Sequence, residues 1–453
     1  MINESLLSLC RTASRMVREL PRGTRIRVVS HYDADGAAAA GIICNALYNM
    51  GYDIHATLMR NPYTNGLERL LKEEHDFIVF SDMGSGQIDI IERFKCPVII
   101  LDHHQHVKDE AKKNILQINA NLCGYDGNYE ICGATLSYAF ALSLNPRNEN
   151  LVSLALVGAT GDKQYIGGFK GYNLEILKNA LDKGLLKPVS GLKLPGGCIT
   201  DALQYSIDPY YKGLSGRVNE VKKTLDKLGI RSDSKTEDLS IDEVKKLNSY
   251  LVLKLMKDKC DSDIIDTVVR ERYWSDTLNS ELERYADLID ACGKNGYRGL
   301  ALSLCISNGK KPDLIDEALK AEKDYKDKVL SVLLSLEKEG LHDAGNLRYF
   351  YSDDSSLGGV IAGITINYIT GGDKPVFSIS RKKDEVHVSC RGTVSLVKKG
   401  LDLGSALRSV TNSIGGYGGG HKVAAGATIN IDKEREFLEL ANSIIGEQMR
   451  QGA

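Results

Sequence analysis

Four short stretches of this 453-residue chain carry side chains that can bind cations or move protons. They are His31-Tyr32-Asp33-Ala34-Asp35-Gly36, Ser81-Asp82, Asp102-His103-His104 and Gly161-Asp162. Carboxylates mixed with imidazoles, without thiolates, suit Mn2+ or Mg2+ better than structural zinc. A histidine beside such a site can also give or take a proton. Ordinary structural roles compete with this chemistry. Asp33 and Asp35 precede Ala37-Ala38-Ala39-Ala40 and would cap a helix. Asp162 follows an apolar run and would serve as a turn residue.

The elements that must position these residues are legible as apolar runs. Ile26-Arg27-Val28-Val29-Ser30 reads as a strand leading into His31, and the Ala-rich stretch to Met50 as the helix behind it. In extended chain alternate residues share a side, so His31, Asp33 and Asp35 would project together. Phe77-Ile78-Val79-Phe80-Ser81 runs into Asp82, and Pro97-Val98-Ile99-Ile100-Leu101 into Asp102. Strands alternating with helices form a parallel sheet, whose carboxyl edge is the usual ligand-binding edge. The apolar stretch Leu151–Val157, of helical length, delivers Asp162 as a fourth ending on that edge. Capping alone does not account for four such endings, one with a His pair.

With 42% hydrophobic and 26% charged residues, the chain reads as soluble, and its length exceeds what one core supports. No run is long enough for a membrane span and the N-terminus lacks a signal-peptide pattern, so a cytoplasmic location is expected, with no membrane partner. Ten cysteines without a CxxC pair read as reduced core residues. A formal net charge of −2 means that any polyanion must be held by a locally basic groove.

The four stretches resemble, in order, the successive motifs of the DHH phosphoesterase superfamily. Near the other end, Gly415-Gly416-Tyr417-Gly418-Gly419-Gly420-His421-Lys422-Val423-Ala424-Ala425-Gly426 resembles the glycine-rich signature of the DHH-associated domain. Ser389-Cys390-Arg391-Gly392 resembles the Ser-x-Arg element of RecJ-type exonucleases. The resemblance implies an α/β architecture: an N-terminal parallel-sheet DHH domain over 1–195, a loop and helical insertion over 196–311, a long linking helix over 312–340, and a smaller C-terminal α/β substrate-binding domain over 341–453. It also implies two divalent ions, Mn2+ or Mg2+. His31, Asp33 and Asp82 would hold one, and Asp35, Asp82, His103 and Asp162 the other, with Asp82 bridging. Asp102 would orient the His pair, and His104 would contact the phosphate or protonate the leaving group, or else serve as a second metal ligand or a simple hydrogen-bond partner. Gly418, Gly419 and Gly420 would let backbone N–H groups approach a phosphate, beside His421 and Lys422. Ser389 and Arg391 complete the expected substrate-binding set, Arg391 gripping a terminal phosphate.

The function implied is that of an archaeal RecJ-like exonuclease, close to the GINS-associated nuclease. It would degrade single-stranded DNA 5′ to 3′ to nucleoside 5′-monophosphates in replication or repair, with RNA as a second substrate class. A groove sized for one strand would exclude duplex. Competing readings are a nano-RNase, a cyclic-dinucleotide phosphodiesterase, or a scaffold docked on GINS and the replicative helicase. The long insertion argues against compact nano-RNases, the intact acidic motifs against a pure scaffold, and the Arg391 and glycine elements against a family II pyrophosphatase.

Overall fold

The computed structural model of the chain describes residues 3–60, 65–109, 111–192, 194 and 196–452. They form two compact units, Met1–Ser190 with Glu271–Tyr325, and Gly191–Arg270 with Lys326–Ala453.

The first unit is built on five parallel strands: β1 (Arg25–His31), β2 (Asp53–Met59), β3 (Phe77–Ser81), β4 (Val98–Asp102) and β5 (Ile115–Asn119), in the order β2-β1-β3-β4-β5. β3 and β4 are buried at every residue, which is why they read as unbroken apolar runs rather than alternating ones. The helices are α1 (Glu4–Arg18), α2 (Ala34–Tyr48), α3 (Asn65–Leu70), α4 (Ile88–Ile91), α5 (Gly133–Leu144) and α6 (Val152–Gly161), with further helices at Gly171–Asp182, Leu282–Lys294 and Arg298–Ser307. α2 is buried without interruption from Ala34 to Cys44, so it lacks the polar face of a surface helix. Small residues let its neighbours close in: a Cβ added at Gly41 would collide with the Cβ of Cys305.

Register fixes the functional edge. Ser30 pairs with Ser81 and Ser81 with Leu101, so β1, β3 and β4 end level with His31, Asp82 and Asp102. The buried Ser81 hydroxyl donates to Ser30 Oγ at 2.8 Å, and Ser30 Oγ to the Gly36 carbonyl at 2.7 Å, tying two strand ends to the start of α2. Asp162 reaches the same cluster from a helix, as the helical length of Leu151–Val157 leads one to expect: it is the C-cap of α6.

The second unit contains a six-stranded mixed sheet in the order Tyr417–Gly420, Ala424–Asn430, Glu385–Arg391, Val376–Lys382, Arg348–Tyr351, His342–Asp343. Only the Arg348–Tyr351 and Val376–Lys382 pair is parallel. Helices at Gly358–Ile364, Leu403–Ile414 and Glu434–Gln451 accompany it.

These units group the expected segments differently. Of the stretch 196–311, the part up to Arg270 belongs to the second unit and the part from Glu271 to the first. Close packing explains the latter, since a Cβ at Gly293 would collide with the Tyr32 carbonyl. The helix expected over 312–340 is continuous as Pro312–Glu339, and the units meet in sequence within it, after Tyr325. The boundary expected at 195 falls on a residue outside those described. Eight of the ten cysteines are buried and all are free thiols. No described helix is long and apolar enough to cross a membrane.

Candidate metal centre

Three overlapping triads of donor atoms, each within 4.8 Å, sit at the carboxyl edge of the parallel sheet: His31, Asp33 and Asp82; Asp35, His103 and Asp162; and Asp82, His103 and His104. Asp82 and His103 each belong to two of them. Asp82 adopts φ 53°, a left-handed conformation that Asp tolerates better than most side chains, while its N–H still donates to the Leu101 carbonyl at 2.8 Å.

The capping role and the ligand geometry coexist at Asp33. Its side chain accepts the Gly36 N–H at 3.1 Å as N-cap of α2, and its other oxygen lies 2.7 Å from His31 Nδ1. His31 Nδ1 meets no other partner at hydrogen-bond distance among the described residues. An imidazole nitrogen and a carboxylate oxygen held this close fit a shared cation once the imidazole is neutral. Because α2 begins at Ala34, Asp33 and Asp35 fall in different triads and do not share one side of an extended loop.

Asp35 is held by a feature with no sequence signature. Its Oδ2 accepts the Gly133 N–H at 2.7 Å and its Oδ1 the Ala134 N–H at 2.8 Å, so the N-terminus of α5 clamps both oxygens. The approach demands glycines, since a Cβ at Gly133 would lie 2.5 Å from Asp82 Cβ and one at Gly158 2.5 Å from Asp35 Oδ1. A carboxylate has about four lone-pair sites, so Asp35 retains capacity for a cation.

The histidines are oriented by main chain and carboxylate. His103 Nδ1 donates to the Gly127 carbonyl at 2.6 Å, leaving Nε2 3.1 Å from Asp82 Oδ1, 3.3 Å from Asp162 Oδ2 and 3.7 Å from Asp35 Oδ2. An outer hydrogen bond of this kind sets the ligating nitrogen of a metal-bound histidine. His104 Nδ1 lies 2.8 Å from Asp102 Oδ1, and Asp102 Oδ2 accepts the Ser85 N–H at 2.8 Å. Asn119 Nδ2 donates to the His104 carbonyl at 2.9 Å, and Asn121 Nδ2 to that of His103 at 3.1 Å. Asp102 is thus buried behind the pair, while His104 is 40% exposed.

Electrostatics mark the cluster as short of positive charge. Burial, then Asp35 and Asp33, push Asp82 well above the ordinary aspartate range, against the pull of His103. Burial and Asp35 do the same to Asp162. Burial opposes charge on His103, but its carboxylate neighbours outweigh that and raise it well above its usual value. Burial would also raise Asp102 and Asp33, yet His104 holds the first and His31 the second below the usual range. Like charges about 4 Å apart repel by about 4 kcal/mol at an effective dielectric of 20. A divalent cation removes that repulsion, so the donor set fits Mn2+ or Mg2+.

The remaining expected residues lie in the second unit. Ser389 pairs with Gly426, and Gly426 with Gly419, so the three stand abreast across adjacent strands. Arg391 Nη1 donates to the Cys390 carbonyl at 2.9 Å, and its guanidinium lies so near Gly359 that a Cβ there would be 2.8 Å from Nη2. Gly418, Gly419 and Gly420 form a strand rather than a loop, and His421 begins the hairpin turn, its N–H donating to Ala424. Packing accounts for two of these glycines: a Cβ at Gly418 would lie 2.8 Å from the Leu407 carbonyl, and one at Gly420 2.6 Å from that of Ala424. A Cβ at Gly419 would meet only the Arg408 guanidinium, at 3.9 Å. Sequence reasoning missed Arg408, whose nearness to Gly419 follows from the docking of helix Leu403–Ile414 on this strand.

Two family models match the chain, the DHH family N-terminal domain over residues 25–159 and the DHHA1 domain over residues 346–447. An uncharacterized protein of Methanocaldococcus jannaschii, MJ0831, is 30% identical over 437 residues, covering 94% of each chain. The chain belongs to the DHH family. RecJ from Thermus thermophilus in complex with Mn2+ shares this fold with a TM-score of 0.62 at 17% identity; the match covers 99% of this DHH protein but 55% of that RecJ. An exonuclease RecJ bound to manganese matches with a TM-score of 0.58 at 17% identity, over 98% and 96% of the two chains. CDC45 from Entamoeba histolytica matches with a TM-score of 0.67 at 12% identity, over 97% and 99%. The protein is a RecJ-like DHH superfamily member, with the parallel sheet as its DHH domain and the mixed sheet in its DHHA1 domain.

Proposed function

We propose that this DHH protein is a metal-dependent exonuclease specific for single strands, hydrolysing phosphodiester bonds 5′ to 3′ and releasing nucleoside 5′-monophosphates. The observation that carries the reading is the sharing of Asp82 and His103 between donor triads, an arrangement suited to two adjacent cations. His31, Asp33 and Asp82 would hold one ion, and Asp35, Asp82, His103 and Asp162 the other. Such ions supply Lewis-acid stabilisation of charge on the phosphate when bound. Asp102 keeps the Nδ1 proton of His104 in place, which assigns the Nε2 of that exposed ring to the phosphate or the leaving oxygen. Ser389, Arg391, Gly419 and His421 are the phosphate-binding residues of the DHHA1 domain, with Gly418 and Gly420 shaping the strand.

The competing reading is a non-catalytic scaffold of a replication complex, favoured by the CDC45 likeness in fold. Three aspartates crowded around His103, Asp35, Asp82 and Asp162, would only destabilise a scaffold. The preferred reading places the protein in the cytoplasm on DNA replication or repair intermediates, with GINS as a docking partner. Purified protein with Mn2+ should shorten end-labelled single-stranded DNA to mononucleotides, slow sharply at the junction of a tailed duplex, and stop in excess chelator. Hydrolysis of blunt duplex at the single-strand rate, or undiminished turnover in chelator, would overturn it.

A further inference from the structure

The helical segment after Glu271 carries no DHH motif, yet it is packed onto the first one. Helix Leu282–Lys294 meets the loop at Tyr32 so closely that Gly293 can carry no side chain against the Tyr32 carbonyl. The contact lies one residue from Asp33. Arg284 and Glu322, both largely buried and joined through both guanidinium nitrogens, brace the helix from behind.

This packing brings basic side chains to Tyr32. Arg298, the first residue of helix Arg298–Ser307, places its guanidinium 5.8 Å from the centroid of the Tyr32 ring. Its Nε is buried and meets no hydrogen-bond partner among the described residues. Lys294 and Arg60 both act electrostatically on the Tyr32 hydroxyl, and Lys294 also on Asp33. The acidic groups facing them are Asp33 and Asp290, and Asp290 is ion-paired with Lys294. The helix that begins at Arg298 has no acid in its first turn and no side-chain cap from Tyr297, so its opening N–H groups add to the positive field. A basic corner with an aromatic ring, on a protein of net charge −2, is the local feature that a nucleic-acid strand requires.

We propose that Arg298, with Tyr32 as its platform, contacts the phosphate adjoining the one cleaved at the metal centre. The site takes a polynucleotide strand, gripping its backbone through the guanidinium and leaving the Tyr32 ring to the neighbouring sugar or base. Lys294, paired with Asp290, is a positioning residue for the loop that carries Asp33. The proposal rests on the exonuclease reading and assigns a substrate contact to a segment outside the DHH and DHHA1 matches.

The test compares two substrates in Mn2+: a single-stranded DNA decamer, and thymidine 5′-(p-nitrophenyl phosphate), which has one phosphate and no neighbour. A charge-assisted hydrogen bond of about 1.5–3 kcal/mol corresponds to roughly ten-fold or more in affinity. Arg298→Gln should therefore raise KM on the decamer about ten-fold more than on the single diester. It should also lower the salt dependence of decamer binding by roughly 0.7 in log–log slope, the loss of one single-strand phosphate contact. Arg298→Lys should recover part of both. Equal losses on the two substrates, or no loss on either, would overturn the subsite while leaving the exonuclease reading intact. A wild-type protein that hydrolyses the single diester but neither binds nor cleaves the decamer would remove the exonuclease reading, and the subsite with it.

Discussion

Asp35 and Asp82 are both buried acids of one cluster, yet replacing each by asparagine should move stability in opposite directions. Asp35 accepts N–H groups from Gly133 and Ala134 with both oxygens. In Asp35→Asn one of those N–H groups would face an amide NH2, leaving a buried donor opposite a donor. Losing a hydrogen bond to a charged group costs about 1.5–3 kcal/mol. Relief of repulsion toward Asp82 and Asp162, both raised by Asp35, returns on the order of 1 kcal/mol, the worth of a modest pKa change. The net is a loss of about 1 kcal/mol, or roughly 2–4 °C in Tm for a unit of this size. Asp82 has no such clamp; its Oδ1 contacts His103 Nε2 at 3.1 Å and its other neighbours include Asp35 and Asp33. Asp82→Asn removes the most crowded charge and suits the left-handed backbone at φ 53°, so the metal-free protein should gain roughly 2–4 °C. The assay is thermal unfolding in chelator, followed by the fluorescence of Trp274, the single tryptophan, which lies in the first unit. Repeating it with Mn2+ at about 100 times Kd should stabilise the native chain by about 2.7 kcal/mol, and both variants should lose most of that response. Asp35→Asn as stable as the native chain in chelator, or Asp82→Asn falling by the same amount as Asp35→Asn, would refute the assignment of clamp and crowding.

Acidification should stabilise the metal-free protein. Asp82, Asp162 and His103 are raised in the fold, so the native state binds more protons than the unfolded chain, and stability falls as pH rises above the ordinary aspartate value of 3.8 and, for His103, above the ordinary histidine value of 6.5; urea titrations in chelator check this. Asp33 and Asp102, both depressed, act oppositely only on descent below the ordinary aspartate value of 3.8. Gly158→Ala, whose Cβ would sit 2.5 Å from Asp35 Oδ1, should lose about 1–3 kcal/mol of stability, and Mn2+ titration should show weakened binding with every donor present. Asp82→Asn should lower turnover further than Asp33→Asn, measured as initial rates on labelled single strand, because Asp82 serves two triads. Arg391→Ala should raise KM more on 5′-phosphorylated than on 5′-hydroxyl oligonucleotides, and equal effects would make Arg391 structural.

The sheet and the acidic endings of its strands are legible in the residue pattern alone. Ile26–Ser30, Phe77–Ser81 and Pro97–Leu101 are apolar runs that end in His31, Asp82 and Asp102, and parallel strands between helices bring such endings to one edge. That inference needs only side-chain type and spacing, which are written in the sequence. Tertiary structure decided what holds the donors. The clamp on Asp35 comes from Gly133 and Ala134, and the carbonyl that orients His103 from Gly127, through backbone groups that every residue possesses and no residue type announces. Gly418 and Gly420 read as a phosphate cradle, whereas close packing against Leu407 and Ala424 requires them. Gly293, in a stretch without a motif, proves to abut Tyr32 and to carry a basic corner toward Asp33. Whether a small residue or a main-chain group serves a site depends on which surface it meets, and that is settled by packing between segments far apart in the chain.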